Sequence, residues 1–247
     1  MKHIFNDRNK AYIEVISSIV DPLYSREIIF VIFVLLTTYA YFSTTSHTGL
    51  IVTPSDVMIP ITFPLFTVLL IYSGVVAGNL GNFIGKGAEA FFLTSPVSRF
   101  RFYLSVWLSA IVFSFLLYGL YTVLLIHLLT FTLFSFYARI VLLVTLSSLA
   151  LYTSTGMLIS AITRNSAFSL AVVLVFFFGL SIYSSTIFPN SPFGDSFVSG
   201  IMFFSEYSSE TGIALWPSII IILLSIVIFL SSYLISKNRD QRSGRSA

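Results

Sequence analysis

Gly81-Asn82-Phe83-Ile84-Gly85-Lys86-Gly87 is the stretch nearest in type to a phosphate-binding loop. Such a loop needs glycines spaced so that backbone N–H groups cradle phosphates, a lysine for the terminal phosphate, and a Ser or Thr for magnesium. Here the glycines stand too close together, and Gly87 occupies the place of the hydroxyl. The chain is therefore expected not to hydrolyse nucleotide, and no catalytic residue is assigned. His3, His47 and His127 are far apart, without metal-ligand spacing. They are read as satisfied or interfacial side chains, and no metal site or cofactor is assigned to the chain. The serines form no Gly-x-Ser-x-Gly elbow. The absence of cysteine excludes disulfides, thiolate chemistry and cysteine metal sites.

A different kind of chemistry, contact with another protein, is legible further on. Ala88–Leu93 can form a short helix with Phe91, Phe92 and Leu93 on one side, and Thr94-Ser95-Pro96 stops it. Ser98 is suited to cap the next helix, with Arg99 and Arg101 at the lipid headgroups. A short helix with an aromatic face at a membrane surface fits a groove on a soluble partner. Two pairs of small residues, Gly74 with Gly78 and Gly156 with Ser160, are spaced four apart. Such pairs let two helix backbones approach closely in lipid, although they also arise by chance in an apolar chain containing glycine.

The elements that position these residues are membrane helices. Of 247 residues only 9% are charged and 56% are apolar, and the mean hydropathy is +0.94. A soluble domain of this size cannot stay dispersed with so little surface charge, whereas lipid removes that demand. Apolar runs free of Asp, Glu, Lys and Arg predict six spans, at about 28–45, 57–78, 102–126, 140–161, 167–187 and 213–236. Runs of this length must be helical in lipid, where unpaired backbone groups are costly. The expected fold is one all-α integral membrane domain over 1–247. With both termini in the cytoplasm, every Lys and Arg except Arg139 falls on the inner side, which fixes the orientation in the cell membrane. The pI near 9.1 is read as this topological bias and not as a nucleic-acid surface.

Three further features complete the plan. Residues 10–20 place Tyr12, Ile13, Val15, Ile16, Ile19 and Val20 at helical spacing among polar residues. The run is too short and too polar to span, and it suits a helix lying in the inner interface; a cytoplasmic helix with a soluble partner is the other reading. Asp21-Pro22 then breaks it. Phe188–Gly212 carries prolines, glycines and apolar pieces too short to cross, so it reads either as a re-entrant outer segment or as a disordered outer loop. Tyr103 and Trp107 fit an inner aromatic belt, and Tyr41, Tyr137, Tyr183 and Trp216 an outer one.

Lys86-Gly87, followed by Leu93-Thr94-Ser95-Pro96-Val97-Ser98-Arg99, resembles the inner loop of type-2 ABC transporter permeases. Gly156-Met157-Leu158-Ile159-Ser160-Ala161-Ile162-Thr163-Arg164-Asn165 is similar to a second segment of that family, between spans four and five. The interfacial helix, the six spans and the re-entrant segment match its plan. One departure is Gly85, where the family often has an acid, and Glu89 is the nearest substitute. The resemblance implies a permease subunit without nucleotide hydrolysis of its own, working with a second copy or a paralogue and with two ABC ATPase subunits that hold ATP and magnesium. It assigns ATPase coupling to Lys86, Glu89, Phe91, Phe92, Leu93, Thr94, Ser95, Pro96 and Arg99, and a second cytoplasmic contact to Thr163, Arg164 and Asn165. It implies export of an unidentified substrate. The competing readings are an ATPase-independent channel or transporter and a membrane scaffold or immunity protein. The spans lack the carboxylates and lysines that coupled carriers place at mid-membrane.

Overall fold

The computed structural model describes residues 10, 12–19, 32–33, 35–40, 72–86, 98–128, 136–187 and 215–243. Its helices are α1 (12–19), α2 (35–40), α3 (72–85), α4 (Arg99–Leu128), α5 (Phe136–Thr163), α6 (Ser166–Ile187) and α7 (Leu215–Ser243). No strand occurs among the described residues. Three stretches, Arg99–Tyr121, Thr145–Thr163 and Ser218–Asn238, are helices long and apolar enough to cross a membrane.

Helices α4, α5 and α6 contain the expected runs 102–126, 140–161 and 167–187, and α7 covers the last from residue 215. Of the first expected span only 32–33 and 35–40 are described, and of the second only the part from residue 72. The Asp21-Pro22 break and the segment 188–212 lie outside the described residues. One boundary differs. The second run was expected to end at Gly78, yet α3 continues to Gly85. Asn79 is accommodated inside the helix because its side-chain amide donates to the Ile19 carbonyl of α1 at 3.3 Å.

Close contacts give the helix directions. Ser73 and Ala77 of α3 meet Gly156 of α5, and the Ser160 hydroxyl of α5 donates to the Ala77 carbonyl at 2.7 Å, so numbers rise together and α3 runs parallel to α5. Gly74 meets Leu170 and Val173 of α6 whereas Gly78 meets Ser166, so α3 and α6 are antiparallel. Tyr103 of α4 donates to Ser236 of α7 at 2.7 Å, and Trp107 stacks on Phe229, so α4 and α7 are antiparallel. A chain that crosses a layer back and forth has this pattern.

Helix α5 is central. It packs on α7 more extensively than on α4 or α6, and also on α3. Nearly every position from 145 to 161 is buried. Hydroxyls serve this enclosure: those of Ser154 and Thr155 donate to carbonyls one turn back at 2.7 and 2.9 Å, which satisfies them without a partner helix. Helix α7 is amphipathic in a membrane sense. Ser218, Ser225, Phe229, Ser232 and Ser236 form a buried stripe at helical spacing, while Ile220, Leu223, Val227 and Leu234 on the other side are more than half exposed. Small side chains on the buried stripe permit close helix approach in lipid, where apolar side chains gain nothing by leaving the acyl tails. The hydroxyls of Ser148, Ser218 and Ser232 are buried and make no hydrogen bond to a described residue, so their contribution there is small size.

Tyr103 and Trp107, expected at the inner end of the spans, turn toward the bundle, Tyr103 buried and Trp107 half-buried. Tyr103 is 1% exposed, and the Trp107 indole N–H donates to Ser154 at 2.8 Å. Tyr103 forms the main apolar core with Phe102, Val106, Met157, Phe229 and the α3 residues Tyr72, Val76 and Leu80, and Trp107 packs against it together with Tyr12, Val15 and Ile16 of α1.

Candidate functional site

The described basic side chains gather at one end of the bundle. Lys86 follows α3, Arg99 and Arg101 open α4, Arg164 joins α5 to α6, and Lys237 follows Ser236, which meets Tyr103 near the start of α4. Lys10 precedes Tyr12, whose hydroxyl donates to Ser105 of α4 at 2.9 Å. Arg139 lies toward the opposite end of α5.

Helix α4 begins where Ser98 caps it. The Arg101 N–H donates to the Ser98 hydroxyl at 3.3 Å, and the Phe102 N–H to its carbonyl at 3.1 Å. Arg99, which the resemblance assigns to the coupling loop, is the first residue of α4 and is half-buried. The first turns of α4 are held on several sides by rings. Phe102 lies 5.1 Å from Phe83 of α3, Phe100 lies 5.4 Å from Tyr233 of α7, and Phe102 and Tyr12 meet edge to face at 6.4 Å.

The α5–α6 link is the two residues Arg164-Asn165. Arg164 takes a left-handed backbone (φ 54°), the conformation that ends many helices, and its N–H donates to the Ser160 carbonyl at 2.9 Å. Asn165 caps α6, with its side-chain oxygen accepting from the Phe168 N–H at 3.1 Å and its carbonyl from the Ser169 N–H at 2.9 Å. Thr163, the last residue of α5, shares a hydrogen bond with the Ser169 hydroxyl across the turn. The α5–α6 connection is thus a tightly bonded hairpin.

Helix α3 ends against this hairpin. A Cβ on Gly85 would lie 2.2 Å from the Arg164 carbonyl oxygen, and one on Gly81 would lie 2.7 Å from the Ser169 hydroxyl and 3.2 Å from the Asn165 carbonyl. Lys86, exposed in a turn whose N–H donates to the Asn82 carbonyl at 3.0 Å, is thereby brought beside Arg164. The small-residue positions act separately: Gly74 and Gly78 receive α6, whereas Gly156 and Ser160 receive α3. Sequence reasoning missed Gly81 and Gly85 as packing residues. Their spacing continues that of Gly74 and Gly78 along one helix face, but the apolar run stops at Gly78 and hides the continuation. Glu89, Phe91, Phe92, Leu93, Thr94, Ser95 and Pro96 lie outside the described residues.

Glu14 of α1, exposed, is an acid whose side chain is described. Among the described residues no group of His, Cys, Asp and Glu could hold a metal ion. Chemically, the end can present cationic and hydrogen-bonding groups on a rigid turn. No family model, curated protein or solved structure matches the chain.

Proposed function

We propose that this chain is the membrane subunit of an ABC transporter of the type-2 permease class, crossing the cell membrane six times with both termini in the cytoplasm. In this reading a partner ATPase binds ATP and magnesium, two permease copies or paralogues flank a path, and a substrate leaves the cell. The observation that carries the reading is the meeting of Gly85-Lys86 with Arg164-Asn165. Lys86 opens one segment that resembles the permease family and Arg164-Asn165 closes the other; the two are far apart in sequence, and Gly85, beside Lys86, touches Arg164 at one basic end of the bundle. A membrane helix bundle with two adjoining loops at its charged end is suited to receive a push from a soluble motor.

The test is purification of the tagged chain from native membranes in mild detergent. The expected result is an ATPase subunit in the same peak, with Phe91→Asp/Phe92→Asp permease present at normal abundance but unable to retain or stimulate it. A double variant that holds a fully stimulated ATPase would remove the role of that segment. Wild-type chain isolated from native membranes without any ATPase would remove the reading.

A further inference from the structure

We infer that the end of α3 and the α5–α6 hairpin form one welded body, with Gly78, Gly81 and Gly85 as the positioning residues that allow the joint. The inference about how force moves through it rests on the proposed function; the joint itself rests on geometry alone.

The helices converge along the chain. The nearest atom to a Cβ built on Gly74 lies at 3.9 Å, on Gly78 at 3.4 Å, on Gly81 at 2.7 Å and on Gly85 at 2.2 Å. The last distance is to a backbone oxygen, so no flexible side chain is present to yield. Backbone packed on backbone does not slide continuously, since packed interfaces hold discrete arrangements. The hairpin side is equally fixed. Arg164 is in the left-handed region, Asn165 caps α6, and the Thr163 and Ser169 hydroxyls are bonded beneath Gly81. On the other flank, Ser160 ties α5 to the Ala77 carbonyl of α3. Relative motion of α3 against the hairpin would break the buried Ser160–Ala77 bond and part the close contacts at Gly81 and Gly85.

The consequence is mechanical. The segment that starts at Lys86 and the turn Arg164-Asn165 are two contacts but one lever. A push on either moves the charged ends of α3, α5 and α6 as a unit. Rearrangement during a transport cycle is then confined to other contacts, such as the ring packing around the start of α4.

The natural absence of cysteine makes the joint testable by cross-linking. The S–S bond of about 2.05 Å puts the Cβ of one half-cystine about 3 Å from the sulfur of the other. Position 78 offers 3.4 Å to the Ser166 hydroxyl oxygen, and position 81 offers 2.7 Å to that of Ser169. The variants are G78C/S166C and, as an independent pair, G81C/S169C, in the full chain with a protease site inserted within 129–135. After mild oxidation in membranes and cleavage, the two halves stay joined on a non-reducing gel, and each single variant leaves them separate. Stimulated ATP turnover by the complex shows no loss on oxidation. Halves that separate for both pairs overturn the joint. Joined halves with turnover lost on oxidation and restored by reductant overturn the single lever. Joined halves in a chain that binds no ATPase uphold the joint and remove the transport reading.

Discussion

Gly156→Ala and Gly74→Ala are chemically the same change on packed helices, yet the structure gives them opposite signs. Each replaces glycine within a helix and gains up to about 1 kcal/mol from backbone entropy and helix propensity. At Gly74 the new methyl meets Leu170 at 3.9 Å and Val173 at 4.0 Å, ordinary contact distances, so the gain is kept. At Gly156 it meets the Ser73 carbonyl oxygen at 2.9 Å, closer than Cβ atoms come, with the Ala77 methyl at 3.5 Å behind it. Relief requires α3 and α5 to separate, and overpacking of this kind costs about 1–3 kcal/mol. Separation also stretches the Ser160–Ala77 hydrogen bond one turn away, a class of interaction that averages about 0.6 kcal/mol in a membrane protein. The net is a loss of roughly 1 kcal/mol at Gly156 against a gain approaching 1 kcal/mol at Gly74. At about 2–4 °C per kcal/mol for a protein of this size, the two variants differ by roughly 4–8 °C in Tm. The assay is thermal unfolding in one detergent, followed by loss of the monodisperse peak. Equal midpoints, or Gly156→Ala above Gly74→Ala, would refute the close α3–α5 packing.

Gly85→Ala, with its methyl directed at a backbone oxygen 2.2 Å away, lowers the midpoint further than Gly156→Ala in the same assay, and a neutral result contradicts the approach of α3 to the hairpin. Trp107→Phe removes the indole bond to Ser154 and keeps a ring near Phe229, so it costs about 1 kcal/mol, Trp107→Ala at this half-buried position costs more, and the ranking is read as unfolding midpoints. A tag at Ser191 is labelled from outside intact cells and one at Ser243 is not; labelling at Ser243 reverses the topology. Chain purified free of partners shows no ATP hydrolysis, measured as phosphate release against a mock preparation, and turnover that follows the permease peak contradicts the sequence reading.

Helices α4 to α7 were legible because charge-free apolar runs bounded by basic residues have one physical meaning in a chain this hydrophobic. Ser98 as a cap was legible from residue type and position, and the geometry agrees. The helix at 12–19 was legible from its period, and Ile19 is 2% exposed while Ile13 is 63% exposed. The side of α4 on which Tyr103 and Trp107 find partners was not legible. Hydropathy locates a residue along a span but not around it, and both point into the bundle, where Ser236 and Ser154 receive their polar atoms. The extension of α3 was hidden for a related reason. Asn79 and Asn82 read as loop residues by composition, whereas the first is bonded to α1 and the second remains exposed on a helix that tertiary contacts continue. The meeting of Gly85 with Arg164 is a long-range fact that no local pattern encodes.

The enclosure of α5 bears on how the protein is made. Of the three spanning stretches it is the least apolar and the most enclosed, and α7, which packs on it more extensively than α4 or α6, is the most apolar and the least enclosed. Ribosomes deliver α5 before α7. During that interval Ser154 and Ser160 of α5 are already met by α4 and α3, while the face of α5 that α7 covers still lies open. Helix α7 by contrast enters lipid readily on its own account. Helix α7 therefore completes the enclosure of α5, and a nascent chain arrested before it presents α5 with that face still open.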